Sequence, residues 1–282
     1  MTRTRTRRLI CLISVALTAA ALLAGDLPGG ATSRAPRAAV TATGAAPSRV
    51  LADCTAPNVT CITSDRSKPL EITGNDRIYE GLGHRVPGIT ATGDNITIQG
   101  FVSSGAASTG IWIKGRNPVV QDNTIQQVHF NGDDIDGIRF FGDGALILNN
   151  KETNILAGKS HGAHLDCIQT WASPNTGASS DVLIQGNDCR DRNFHQGLMA
   201  EGPKSTDGGG GAPGDSRNWV IRGNYFQCYA NQTVALRAIH DVLVDSNTFA
   251  GAGSKGVQLA DGSTVTIKNN ILGSGYGTLF GD

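Results

Sequence analysis

The chain has 282 residues with 24 basic and 24 acidic side chains, so its formal net charge is zero. That balance excludes the broad basic face that nucleic-acid binding needs. The length allows one large domain or two small ones.

Arg3, Arg5, Arg7 and Arg8 precede an apolar run from Leu9 to about Ala24. A charged start followed by a short apolar stretch predicts a secretory signal peptide over residues 1–25. The run is too short and too rich in Ala for a membrane anchor. Residues 26–50, rich in Ala, Gly, Pro, Ser and Thr, read as a flexible leader. The predicted product is secreted and extracellular, and loss of the four arginines leaves it mildly acidic, at about −4. Export permits disulfides. Cys54 and Cys61 are close in sequence at the start of the domain, which is expected over 51–282. Cys189 and Cys228 occupy similar places in neighbouring repeats and can pair, which leaves Cys167 over.

From residue 96 onward a short β-branched run recurs, ending in a Gly, Asn or Asp corner. In six of these repeats an Asn follows: Asn123, Asn150, Asn187, Asn224, Asn247 and Asn270. The shortest spacing, about 23 residues, is the length of one coil of a β-solenoid. The two long spacings, Asn150 to Asn187 and Asn187 to Asn224, imply inserted loops of roughly a dozen residues. Turn chemistry explains the asparagines, through left-handed corners or amides bonded from coil to coil. A second strand lies between each pair of repeats. Alternation puts Ile111, Ile138, Ile168, Leu198, Leu236 and Val257 in one inward column. Ile113, Phe140, Thr170, Ala200, Ala238 and Leu259 form the next.

These coils resemble the right-handed parallel β-helix proteins of the pectate-lyase-like superfamily, over about Leu70 to Leu272. The resemblance implies an all-β fold, a single-stranded right-handed parallel β-helix (a solenoid) of about eight coils. It implies polysaccharide lyases, glycoside hydrolases, uronan epimerases and glycan-binding proteins as the range of activities. It also places the site in an outer groove on one sheet, near the longest loops.

The two long insertions bracket the segment His164-Leu165-Asp166-Cys167-Ile168-Gln169-Thr170-Trp171. Cleavage of a uronan by β-elimination needs a base, an acid and a group that neutralises the carboxylate. His164, Arg139, Asp166 and Arg237 are the catalytic candidates. Gln169, Trp171, Lys114, Glu201 and His195 are the substrate-binding candidates, since a ring can stack on a sugar and polar groups can bind its hydroxyls. Lys114, Arg139, Gln169, Glu201 and Arg237 are expected in one exterior row, with coils stacked at about 4.8 Å. Asp133, Asp134 and Asp136 can hold a hard cation such as Ca2+, or serve only as turn residues. Asp136 and Asp166 can equally be corner caps. The expected substrate is an acidic polysaccharide, handled by a monomer without nucleic acid or membrane anchor. A hydrolase or C5-epimerase on the same fold, and a non-catalytic glycan-binding solenoid, are the alternatives. Aromatic residues make up 5% of the chain, which disfavours an aromatic-studded binding groove.

Overall fold

The computed structural model describes residues 50–129, 134–153, 155, 164–206, 210–229 and 232–282. The expected signal peptide, nearly all of the leader, and Asp133 lie outside the described residues. Every regular element among the described residues is a β-strand, and every strand pairing is parallel. One coil runs through Leu165–Trp171, Val182–Gln185 and Asp188–Arg190 before the chain enters Gln196–Glu201 directly beside the first strand. Stacking such coils builds three parallel sheets, and the long strand Thr248–Ala260 takes part in two of them. The chain is thus a parallel β-helix. One sheet has nine strands, one more than the expected number of coils.

The asparagines form a ladder through the interior. Asn123 Nδ2 donates to Asn150 Oδ1 at 3.0 Å, and Asn150 Nδ2 to Asn187 Oδ1 at 3.0 Å. The chain of amides continues through Asn224 and Asn247 to Asn270. Each Oδ1 also accepts the backbone N–H of the preceding ladder residue. The left-handed backbone is one residue earlier, at Asp122, Asn149, Gly186, Gly223, Ser246 and Asn269. The ladder residue therefore supplies hydrogen bonds, and its predecessor turns the corner.

The inward columns follow the expected order until the strand Gln232–Arg237. There Leu198 aligns with Val234, and Ala200 with Leu236, so Leu236 belongs to the second column. Ala238 lies beyond the strand, with a left-handed φ of 53°. The first column takes the apolar residue ten places past the ladder Asn, Val234 here and Val257 in the next coil. Alternation also breaks at the start of the strand Ile135–Phe141. Ile138 is in the core, yet a Cβ added at neighbouring Gly137 would lie 1.4 Å from Glu152 Oε2. Two consecutive residues therefore face the interior, while Asp136 and Arg139 lie on the other side. Gly137→Ala is expected to destabilise the protein by about 3 kcal/mol through overpacking. Adding Glu152→Ala should restore part of that loss, as measured by denaturant midpoints in a double-mutant cycle.

Two disulfides are present. Cys54–Cys61 is as expected. The second joins Cys167 to Cys189, and Cys228 is a buried free thiol. The expected Cys189–Cys228 pair is thus corrected. Cys189 aligns with Phe226, which places Cys228 two residues further along its strand. Cys167 follows Asp166 at the break in alternation and joins the core cluster with Cys189.

Candidate functional site

The strands Thr109–Lys114, Ile135–Phe141, Leu165–Trp171 and Gln196–Glu201 are neighbours in one sheet. Their first turns carry the polar cluster. Asp136, Asp166 and Gln196 align on successive coils. Asp136 Oδ1 accepts the backbone N–H of Asp166 at 3.0 Å, and Asp166 Oδ1 accepts that of Gln196 at 3.0 Å. One oxygen of each aspartate thus bonds the backbone of the next coil, not its own corner. The other oxygen faces the candidate site. Asp136 Oδ2 pairs with Arg139 Nε, and Asp166 Oδ2 with His164 Nδ1 at 3.2 Å.

His164 and His195 stand side by side, edge to face, with ring centroids 5.1 Å apart. Their environments push them in opposite directions. The hydrogen bond that His164 donates to the Asp166 carboxylate outweighs burial and raises His164 to about 9. Burial, reinforced by the neighbouring His164, lowers His195. At neutral pH the pair thus holds one protonated and one neutral ring. Burial raises both Asp136 and Asp166. The charge of Asp166 raises Asp136 further, whereas His164 offsets part of the burial at Asp166.

Arg139, paired with Asp136, also meets an aromatic bank. Its Cζ is 5.3 Å from the centre of the Trp171 ring, a cation–π contact. Trp171 meets Phe141 edge-on at 4.8 Å, and Phe141 meets Trp112 at 5.6 Å. Trp112 and Arg139 line a groove with Glu71, Thr90, Ser108 and Thr109. Gln169 and Gln196 each present a buried amide oxygen with no hydrogen-bond partner among the described residues. Such acceptors are costly unless a donor reaches them, and sugar hydroxyls are donors.

The single exterior row resolves into two. Arg139 aligns with Trp112 on one side and Gln169 on the other, and Gln169 with Met199. Lys114 aligns with Phe141, and Trp171 with Glu201 and Arg237, in a second row two residues further along each strand. Arg237 sits 4.0 Å from Glu201, two coils past Trp171, so the structure does not bring it to the histidines. Lys114 Nζ donates to the Asn175 carbonyl and lines a separate groove with Arg116, Asp143 and Asp215. Of the acidic trio, Asp133 lies outside the described residues, so only Asp134 and Asp136 can be placed here. Asp136 is engaged by Arg139 and the Asp166 N–H. Asp134 meets Arg139 through its backbone carbonyl, at 3.1 Å.

Two residues were missed in the sequence. Gln196 continues the Asp136–Asp166 row and was hidden by the insertion before it. Glu152 is buried behind Gly137 with neither carboxylate oxygen hydrogen-bonded among the described residues. A signal existed for it. Two positions past the ladder asparagines stand Ile125, Glu152, Cys189, Phe226, Phe249 and Leu272, so the Glu interrupts an apolar column.

The family described as "right handed beta helix region" matches residues 177–281. With the parallel coils described above, the fold is a right-handed parallel β-helix. The crystal structure of the Dettilon tailspike protein (gp208) is similar at 15% identity and a TM-score of 0.44, covering 79% of this chain. The match spans 60% of that tailspike chain. No curated protein matches this sequence.

Proposed function

We propose that this chain is a secreted carbohydrate-active enzyme that cleaves a uronate-containing polysaccharide by β-elimination. The observation that carries the reading is the histidine pair, held in opposite charge states beside Arg139 and Trp171 on one face of the solenoid. His195, neutral, takes the proton beside the uronate carboxylate. Arg139 pairs with that carboxylate and stabilises the charge that develops there. The bond to the leaving sugar oxygen breaks as the new carbon–carbon double bond forms. His164, protonated, then gives its proton to that oxygen. Trp171 and Trp112 offer faces for neighbouring sugar rings, and Gln169 and Gln196 accept hydroxyl hydrogens. Asp166 holds His164 in orientation and keeps it protonated.

The test is incubation with alginate, pectate, glucuronan and glycosaminoglycans, with and without chelator, following the ultraviolet absorbance of unsaturated chain ends. At least one substrate should yield that product. New reducing ends without the absorbance would mean hydrolysis, and binding without either would mean a binding protein. Arg139→Lys keeps a cation for Asp136 but loses the bidentate fork. It should lower kcat/KM about tenfold, as measured by initial rates, a loss of roughly 1.4 kcal/mol.

A further inference from the structure

Glu152 lies on the inner side of the sheet, in the strand Lys151–Thr153, where neighbouring coils place Ile125 and Cys189. It is 1% exposed, and both of its oxygens lack a hydrogen-bond partner among the described residues. An ionised carboxylate in that setting costs several kcal/mol unless its charge is met. Burial, and after it the charge of Asp136, push the Glu152 carboxyl well above the usual carboxylate range. The chain nevertheless makes room for this group, since the missing Cβ of Gly137 would stand 1.4 Å from Glu152 Oε2.

What the carboxylate faces is sulfur. One oxygen of Glu152 and the sulfurs of Cys167 and Cys189 all lie within 4.8 Å of one another, and all three residues are buried. A disulfide in an apolar core needs no acid beside it. Thiolate and carboxylate, by contrast, are each ligands of zinc, at about 2.3 Å for sulfur and 2.0–2.2 Å for oxygen. We propose that Cys167, Cys189 and Glu152 form an interior site for a soft divalent cation such as Zn2+, open when the sulfurs are thiolates and closed when they join as a disulfide. The cation gives the carboxylate the partner that the protein withholds. The site is independent of any carbohydrate chemistry on the outer face.

Closing the site is thiol–disulfide exchange with an external disulfide: the two thiols become one disulfide, and the external disulfide takes up their two electrons and two protons as two thiols. Opening it in the test uses a tertiary phosphine. The phosphine becomes its oxide with oxygen from water, and each sulfur gains one proton. Cys54→Ser/Cys61→Ser protein, so reduced and freed of phosphine without air, is titrated with Zn2+ against a chromogenic chelator. We expect one tightly held Zn2+ per chain in the reduced form and none in the oxidised form. Glu152→Gln, nearly isosteric with the neutral acid, should lower the affinity at least tenfold, with an unchanged far-ultraviolet circular dichroism spectrum. Cobalt in place of zinc should give a thiolate charge-transfer band. Absence of binding by the reduced protein would overturn the proposal. So would equal affinity in Glu152→Gln, or retention of the ion after Cys167→Ser/Cys189→Ser.

Discussion

His195→Ala is expected to lower turnover of the cleaved uronan by about 10²–10⁴, the usual contribution of a positioned general base. His164→Ala should lower it comparably, and the double variant should lose little more than either single one, because the two rings act on one proton-transfer sequence. The pH profile follows from their environments. The base must be neutral, so kcat/KM rises as pH climbs through the lowered pKa of His195. The acid must be protonated, so the rate falls as pH climbs through about 9, where His164 loses its proton. Initial rates from acid to alkaline pH give the profile directly. Replacing His195 should abolish the acidic limb, while Asp166→Asn should move the alkaline limb downward, because the hydrogen bond to Asp166 is the largest cause of the raised value. An alkaline limb unmoved by Asp166→Asn would remove the acid role from His164.

The second large effect is on stability. Asn187→Ala is expected to cost about 3–5 kcal/mol. Asn187 Oδ1 accepts the backbone N–H and the side-chain Nδ2 of Asn150, and its own Nδ2 donates to the Ile147 carbonyl and to Asn224 Oδ1. Removing the amide strands these partners in a water-free interior, where an unmet polar group costs about 1–3 kcal/mol. Asn270, at the end of the ladder, is partly buried and passes no amide bond onward among the described residues, so Asn270→Ala should cost clearly less. Urea melts of the two variants check the ordering. Equal losses would mean that the ladder is not a continuous interior network.

Much of this architecture was legible because it repeats. A β-branched run closed by a corner and an Asn, recurring six times, has few structural solutions, and the interior amide ladder is one of them. Single-coil departures were not legible. Val234 and Leu236 are both apolar and two apart, so alternation alone does not show the two-residue offset that pairs Leu198 with Val234. The same kind of offset made Cys189 and Cys228 look equivalent, although Cys189 stands beside Phe226. Cys167 was left unpaired because strict alternation cannot anticipate two adjacent inward residues, as at Gly137 and Ile138. For the site, the flanking loops locate the segment from His164 to Trp171, where Arg139 meets Trp171 and His164 meets Asp166. His195 was read as a sugar contact. Its place beside His164 depends on how the inserted coil folds back, and local sequence does not carry that information. Arg237 and Lys114 were drawn in by a single imagined row, whereas outward residues two apart on a strand form separate rows.

The most direct test of the central reading is mass spectrometry of products formed in heavy-oxygen water. β-Elimination breaks the chain without consuming water. The account predicts oligosaccharides ending in an unsaturated uronate, lighter by one water than hydrolytic products and free of heavy oxygen. It also predicts that His195→Ala suppresses them. Saturated, heavy-oxygen-labelled oligosaccharides, or unsaturated products formed at an undiminished rate by His195→Ala, would contradict it.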